Sequence, residues 1–207
     1  MANDLYIPPQ AKPLLDQWCG DGLTRHWPSE PRDKLWFGFD AEQDEDLRRR
    51  YGALVDEALA GGLTDWAEAP LGRLALVLLL DQLPRNLFRR QARAFAGDVR
   101  AQALTHAAVA SGEDERLPVV ARVFLYMPLV HAESLAQQDE AVRCFERLRE
   151  QAPAFCHATL DENLRYARLH RDIVARFGRF PHRNEALGRA STAEELAFLK
   201  DGPRFGQ

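Results

Sequence analysis

The stretch LGRLALVLLLDQ, residues 71–82, decides the fold of this chain. Pro70 precedes it and Pro84 follows it; proline is favoured in the first turn of a helix and interrupts a helix further along. Wound as a helix, its leucine, valine and alanine side chains point to all sides, which is typical of a helix at the centre of a fold. We therefore predict a buried central helix over 71–82 that Pro84 stops. Its apolar run, Leu74–Leu80, is too short for a membrane-spanning helix, which needs about 20 residues.

The segment DLRRRYGALVDEALAGG, residues 46–62, has the pattern of a helix with one apolar face. The residues of this face recur at helical spacing: Leu47, Tyr51, Leu54, Val55, Ala58 and Leu59. Five acidic residues between Asp40 and Asp46 precede it, where they favour the positive end of the helix dipole. We expect them to mark a helix start rather than a metal site, and Gly61-Gly62 to end the helix.

The remaining long segments also have the helical period. We predict helices over residues 98–111, 117–127, 130–151 and 155–177, and a last helix capped by Ser191 with Glu194 or by Thr192 with Glu195. No segment alternates between apolar and polar residues clearly enough to favour a strand. With 207 residues, 46% of them hydrophobic, and no flexible linker, the chain suits a single domain over 1–207. The expected architecture is all-α with about eight helices.

Composition gives no basis for a nucleic-acid or membrane partner, because the formal net charge is −4 and only 28% of the residues are charged. Arginine outnumbers lysine 24 to 3, which fits phosphate recognition or, more simply, the codon bias of a GC-rich genome. Cys19, Cys144 and Cys156 are widely spaced and odd in number, so we expect reduced thiols in a cytoplasmic protein. The first ten residues lack the basic and apolar regions of a signal peptide.

Helical wheels place polar residues on the apolar faces of three predicted helices. His170 lies within an apolar arc on helix 155–177, and Asn163 lies at its edge. His131 and Gln138 lie at the centre of the apolar face of helix 130–151, with Ser134 beside them, and the central helix ends in Asp81 and Gln82. The apolar residues that define the two wheels are Phe155, Tyr166, Leu169, Ile173 and Phe177 for the first, and Leu135, Ala141, Val142 and Phe145 for the second.

Buried polar groups need partners, because an unpaired one costs roughly 1–3 kcal/mol. We therefore expect His131, Gln138 and His170 to be mostly buried and bonded to one another, to Asp81 or to nearby backbone. Such a layer either fixes helix register or forms a site in which Asp81, His131 and His170 act as acid, base or metal ligand. The chain has no HExxH motif, di-iron glutamate-histidine pair, GxSxG turn or phosphate loop. We thus assign no metal site, and the cofactor remains unknown.

The stretch HRDIVARFGRFPHRN, residues 170–184, is basic within an acidic chain. The end of a helix favours positive charge and a left-handed glycine, which accounts for Arg171, Arg176 and Gly178. It does not account for the donors that follow, which are Arg179, His182, Arg183 and Asn184. A similar group follows Pro84, formed by Arg85, Asn86 and Arg89. These are either two well-capped turns or two walls of a ligand site.

Three segments closely resemble the bacterial domain-of-unknown-function family 924: LDQLPRNLFR (80–89), FLYMPLVHAESLAQQD (124–139) and HRDIVARFGRFPHRNEALGRASTAEELAFL (170–199). The resemblance runs from about Leu14 to Leu199 and implies an all-helical, tetratricopeptide-like right-handed stack of antiparallel helix pairs, but no particular activity. Leu83 and Ala132 depart from the family pattern, which has Phe and Ser at these positions, and Ala132 weakens any mechanism that needs a hydroxyl beside His131. The family's distinctive positions are Asp81, Gln82, Pro84, Arg85, Asn86, Arg89, His131, Glu133, Ser134, Gln138, His170, Arg176, Gly178, Arg179, Pro181, His182, Arg183 and Asn184.

These observations leave three hypotheses for function. The first is a binding module for a small anionic ligand or an acidic peptide. The second is an enzyme of hydrolase type, with Asp81, His131 and His170 in the bundle interior. The third is an interaction protein without a small-molecule site. For the first hypothesis, the predicted ligand-binding residues are Arg85, Asn86, Arg89, Glu133, Gln138, Arg179, His182, Arg183 and Asn184.

Overall fold

The computed structural model describes residues 6–203 and Phe205, and every regular element in this part of the chain is helical, with no β-strand. Eight of the described α-helices have eight or more residues, so the prediction of an all-α fold with about eight helices is confirmed. The tetratricopeptide-like arrangement remains a prediction. The helices are α1 (Lys12–Cys19), α2 (Gly22–Arg25), α3 (Asp33–Phe37), α4 (Ala41–Leu59), α5 (Pro70–Val77), α6 (Leu83–Leu87), α7 (Asp98–Ser111), α8 (Val119–Val130), α9 (Leu135–Gln151), α10 (His157–Phe177) and α11 (Ala193–Asp201).

The predicted central helix forms the core, but it continues beyond its predicted end. Helix α5 runs through a π-helical turn, Leu78–Gln82, directly into α6, and Arg73 is the one residue from Pro70 to Pro84 that is not buried. The predicted stop at Pro84 is wrong. Pro84 lies in the first turn of α6, and the helix continues through it because the π-turn directly before it, which Leu83 N–H closes by donating to Leu78 O, changes the hydrogen-bond register.

Helix α4 confirms the interpretation of the acidic run as a helix start. Asp40 is the N-cap residue, and its Oδ1 accepts hydrogen bonds from the backbone N–H groups of Glu42 and Gln43 at 3.0 and 3.2 Å. The buried face of the helix includes Leu47 and Tyr51 from the predicted stripe. This face packs on the π-turn and α6.

The connection between α8 and α9 differs from the prediction. Helix α8 does not end at residue 127 but runs through Pro128 to Val130, because burial along almost its whole length outweighs the loss of one helical hydrogen bond. Helix α9 begins at Leu135 rather than at residue 130, after Ser134 in an extended conformation. His131 and Glu133 therefore lie in a loop and not on a helix face.

The wheel for α10 is correct for His170 and wrong for two aromatic residues. His170 is buried in the same face as Ile173, but Phe155 is 67% exposed and Tyr166 is 44% exposed. Phe155 lies in a 3₁₀ turn before the helix, where the helical phase does not apply, and Tyr166 supports the guanidinium of Arg165 at 4.4 Å from its ring. On α9, Leu135 is likewise 42% exposed because it is the first residue of the helix.

The C-terminal part packs as a small second cluster beside the main core. Ile173, Val174 and Phe180 form its buried centre, with Phe198 and Phe205 packed against them. Helix α11 begins with a capping box, and of the two predicted boxes the structure contains the one formed by Thr192 and Glu195.

Candidate functional site

Asp81 lies in the π-turn with its side chain fully buried. Its carboxylate accepts hydrogen bonds from Gln82 Nε2 at 2.5 Å and from His131 Nδ1 at 2.8 Å, and lies 3.1 Å from Arg85 Nη1. Burial by itself would raise the pKa of Asp81, but Arg85 and His131 outweigh burial and hold the pKa below its ordinary value. Asp81 is therefore an ionised carboxylate surrounded by donors.

His131 presents one ring nitrogen to Asp81 from the loop after α8. Because Asp81 is ionised, Nδ1 carries the proton and Nε2 keeps a lone pair. Burial, and next the charge of Arg85, lower the pKa of His131, so the ring is neutral. Gln138 of α9 holds the loop in place, with Nε2 donating to Val130 O at 2.6 Å and to Ala132 O at 2.8 Å. The predicted bonds of His131 to Asp81 and of Gln138 to backbone are confirmed.

His170 reaches the same region from α10. Its Nδ1 bonds Tyr166 O at 2.7 Å, and its ring lies 6.2 Å from the ring of His131 and stacks on Phe205 at 3.9 Å. His170 is buried, with only 7% of its surface exposed to solvent. Burial, and next His131, lower the pKa of His170 to about 3. His170 is thus a neutral wall of the site, and its predicted burial is confirmed.

Two guanidinium groups share one carboxylate beside these histidines. Arg85 Nη2 donates to Asp98 Oδ2 at 3.0 Å, and Arg183 Nη1 reaches the same oxygen at 3.3 Å. The Arg183 guanidinium lies between the rings of Phe95 and Phe180, at 4.7 and 4.5 Å from their centroids. Its Nε is buried and has no hydrogen-bond partner among the residues that the structure describes. Burial, and next the charge of Arg85, lower the pKa of Arg183 to about 10.

His182 completes the group from the 3₁₀ turn Pro181–Arg183. Its ring lies 5.4 Å from the ring of Phe205, and its Nδ1 is buried with no hydrogen-bond partner in residues 6–203 or Phe205. Burial, and next Arg183, lower the pKa of His182 to about 3, so this ring is also neutral. Two neighbouring residues, His182 and Arg183, therefore each bury a polar nitrogen that has no hydrogen-bond partner among the described residues.

These side chains enclose a pocket of about 30 Å³. Sequence analysis predicted five of its lining residues, which come from four separate segments, and the carboxylate of Asp81 that supports them. It missed Asp98, Phe95 and Phe205, because an acidic residue in the first turn of a helix and two scattered phenylalanines have ordinary structural explanations. The lining residues are Arg85, Phe95, His131, His170, His182, Arg183 and Phe205.

Other predicted ligand-binding residues lie outside this pocket and have protein partners. Asn86 Nδ2 donates to Asp44 Oδ1 at 3.1 Å, and Arg89 Nε donates to Asp44 Oδ2 at 2.6 Å. Glu133 accepts two hydrogen bonds from Arg189, at 2.6 and 2.8 Å.

Arg179 and Arg183 bind different carboxylates, Glu195 and Asp98 respectively. Arg179 Nε and Nη2 donate to the two oxygens of Glu195 at 2.7 and 2.9 Å, and Asn184 Nδ2 approaches the same carboxylate at 3.3 Å. The hydrogen bonds from Arg179 lower the pKa of Glu195 to about 2, and they outweigh burial, which raises this pKa. The basic residues of this stretch therefore have two different roles. Arg179 binds Glu195 in the first turn of α11, whereas His182 and Arg183 line the pocket.

Within residues 6–203 and Phe205, no group of three or more His, Cys, Asp or Glu side chains could hold a metal ion. The helices of this same part of the chain are all too short or too polar to cross a membrane.

Comparison with known proteins identifies relatives without a stated activity. The family described as "Bacterial protein of unknown function (DUF924)" matches residues 14–203. A solved structure of a protein of unknown function from Agrobacterium tumefaciens is 36% identical, with a TM-score of 0.76, over 93% of this chain and 97% of that one. Among curated proteins, none matches.

Proposed function

We propose that this chain, which belongs to the DUF924 family of bacterial proteins of unknown function, binds the carboxylate group of a small molecule in the pocket beside Arg183, His182 and His170. One observation carries the proposal: Arg183 Nε, on a side chain that is only 6% exposed, has no hydrogen-bond partner within residues 6–203 and Phe205. A buried donor without an acceptor destabilises the fold, and a carboxylate oxygen at this position would satisfy it with a charge-assisted bond.

The charges around Arg183 support an anionic ligand. Arg85 has two carboxylates close to it, Asp81 at 3.1 Å and Asp98 at 3.0 Å, whereas Arg183 has a single contact with Asp98 at 3.3 Å. The lowered pKa of Arg183, caused by burial and next by Arg85, means that its positive charge is poorly compensated. The neutral His182 can donate one N–H to a carboxylate without adding charge, whereas His170 already donates Nδ1–H to Tyr166 O and serves as a wall of the pocket.

The size of the pocket favours a carboxylate over a larger anion. A volume of about 30 Å³ accommodates two or three water-sized groups, on the basis that one water occupies roughly 10–15 Å³ in this measure. The rest of the ligand would lie outside the pocket, past Phe205, whose ring lines the pocket and stacks on His170. An acidic peptide has less support, because Arg89 and Arg179 are directed to Asp44 and Glu195 rather than to a continuous surface.

Thermal unfolding with an anion series tests this proposal. Sodium acetate should raise the melting temperature above that in sodium chloride of equal ionic strength, because ligand binding to the folded state stabilises it. Arg183→Gln should abolish the difference. Arg179→Gln is the matched control, since it removes a nearby guanidinium that faces Glu195, and it should keep the difference.

Should Arg183→Gln fail to fold, His182→Phe provides a second variant, which removes the other unpartnered nitrogen and retains a ring of similar shape. This variant should weaken the effect of acetate. An equal response of the wild type to acetate and chloride would contradict the proposal and indicate that ordered water satisfies both nitrogens.

A second candidate, a hydrolase, is favoured by the pair Asp81 and His131. An ionised aspartate that orients Nδ1 leaves Nε2 as a base, and His131 lines the same pocket in which Arg183 would hold a carboxylate. The chemistry that fits is activation of a water next to an ester or amide of a dicarboxylic acid. The lowered pKa of His131, from burial and next from Arg85, keeps this base unprotonated at neutral pH.

Hydrolysis of monoesters of dicarboxylic acids tests the second candidate. His131→Asn should remove turnover, while His106→Asn, at a half-exposed histidine that lies outside the pocket, should retain it. A wild-type rate no higher than that of His131→Asn would reject this candidate and leave the binding proposal intact.

We also propose that the protein is cytoplasmic, as predicted from its cysteines, and that its helix pairs form the tetratricopeptide-like stack that the family resemblance implies. The state of the cysteines supports the location, because Cys19, Cys144 and Cys156 are free and buried. The packing of α9 between α8 and α10 supports the stack.

A further inference from the structure

A second cavity, of about 250 Å³, lies at the opposite end of α8 from His131. It lies between the start of α8 and the end of α9. Its floor is buried and mainly apolar, whereas His26, Glu115 and Gln151 form an exposed rim. The floor consists of Leu117, Val119, Arg122 and Leu148. The cavity is therefore open to solvent at one side and large enough for a small molecule.

Arg122 is the charged residue of this floor and is only 5% exposed. Its Nε donates to the hydroxyl of Tyr126 at 3.1 Å, but its Nη2 is buried and has no hydrogen-bond partner in the described part of the chain. Since nearly all buried polar groups in proteins are paired, an unpaired guanidinium nitrogen in the floor of a cavity indicates a missing acceptor.

The nearest buried carboxylate does not supply this acceptor. Asp114 Oδ2 accepts hydrogen bonds from the Tyr126 hydroxyl and from Arg147 Nη2, the latter at 2.9 Å. Asp114 Oδ1 has no partner either, but Asp114 does not line the cavity. Arg147 lies close to two acidic groups, Asp114 at 2.9 Å and Glu115 at 3.5 Å. Because the positive end of the α8 dipole also lies at the start of this helix, the Arg122 guanidinium is poorly compensated.

We infer that this cavity binds a small monocarboxylate with an apolar body. The carboxylate would accept from Arg122 Nη2, and the body would pack against Leu117, Val119 and Leu148. Because the cavity has room for the whole ligand, it differs from the pocket at Arg183, which accommodates only a head group. The two sites are independent, since residues 122 and 131 are about 14 Å apart along a helix with a rise of 1.5 Å per residue.

Calorimetric titration of the full chain with sodium hexanoate tests this inference. Hexanoate should bind saturably, and acetate and hexan-1-ol should each bind about tenfold more weakly, because each lacks one of the two complementary parts. Arg122→Met should give the same loss for hexanoate by removing the donor while keeping the apolar stem.

Because Arg122 is buried, a second variant keeps the test valid if Arg122→Met fails to fold. Ala152→Phe places a ring into the cavity from its rim and leaves Arg122 unchanged, so it should reduce hexanoate affinity at least about tenfold. Ala154→Phe, at an exposed alanine two residues away that does not line the cavity, is the matched control and should bind normally.

Arg183→Gln separates the two sites, because it removes carboxylate binding at the other pocket and should leave unchanged the hexanoate binding that Ala152→Phe reduces. Loss of hexanoate binding in Arg183→Gln but not in Ala152→Phe would assign the ligand to the other pocket and overturn this inference. Absence of saturable binding in the wild type would overturn it as well and would leave Nη2 to ordered water.

Discussion

His131 Nδ1 lies 2.8 Å from Asp81 Oδ1, and this contact joins the loop after α8 to the π-turn at the centre of the fold. The same carboxylate lies 3.1 Å from Arg85 Nη1. Asp81 is fully buried, so its negative charge is balanced by protein groups and not by water.

Asp81→Asn should therefore destabilise the protein by about 3 kcal/mol in urea denaturation, because it leaves a buried guanidinium with one carboxylate fewer. The amide also presents a donor where His131 Nδ1 needs an acceptor. Asp139→Asn is the matched control, since Asp139 pairs with Arg171 at the surface and exposed ion pairs contribute little. Equal losses in the two variants would mean that the buried layer does not stabilise the fold.

The depressed pKa values of the pocket histidines predict a loss of stability in mild acid. Burial is the main cause in His170, whose pKa of about 3 lies below the unfolded value of roughly 6.5. Between pH 6.5 and 3, His170 is protonated in the unfolded chain but not in the folded one. The free energy of unfolding therefore falls as the pH decreases through this range. From pH 6.5 to 5, His170 alone should account for ~1.5 kcal/mol of this loss.

His170→Phe tests the pH dependence, because it keeps a ring against Phe205 and removes the titrating group. Urea denaturation at several pH values should give a shallower decline in the variant than in the wild type. Parallel curves would show that His170 does not resist protonation in the folded state.

Much of the helical structure could be predicted because burial repeats with a fixed period. The helix predicted over 98–111 has those bounds in the structure, with Gly112 in the left-handed conformation at φ 70° after it. The prolines misled the prediction, since the effect of Pro84 or Pro128 depends on where the helix begins and on what packs around it. Neither is a local property of the sequence.

Individual polar residues of the candidate site could be predicted from the sequence, but their contacts could not. His170 was recognised as a polar residue on an apolar face, and Arg183 as a donor beyond the needs of a helix end. Their surroundings were not predictable, because Arg183 meets Asp98 across 85 residues and no local pattern marks such a contact. The same limit explains why Arg179 and Arg183 looked equivalent in the sequence. In the structure Arg179 binds both oxygens of Glu195, whereas Arg183 shares Asp98 with Arg85.

The capping box of α11 predicts a measurable cap energy. Thr192 Oγ1 accepts from Glu195 N–H at 3.2 Å, and the Glu195 side chain accepts from Thr192 N–H at 2.7 Å. Thr192→Ala should lower the free energy of unfolding by about 1 kcal/mol in chemical denaturation. Ser191→Ala should cost less, because Ser191 caps no helix and Asn184 keeps its contact with Glu195. The reverse order would point to the alternative box with Glu194.

Gln138 determines where His131 lies, because its amide holds both Val130 O and Ala132 O, on either side of the histidine. Gln138→Leu keeps the volume and leaves two buried carbonyl groups without a donor, so it should cost about 2–3 kcal/mol in urea denaturation. Amide hydrogen exchange should also accelerate at His131 and Ala132, whose N–H groups bond Met127 O and Leu129 O in the last turn of α8. Gln137→Leu is the control, since the side-chain oxygen of Gln137 already lacks a partner, and it should change neither quantity appreciably. Unchanged exchange at His131 in Gln138→Leu would mean that Asp81 alone positions the histidine.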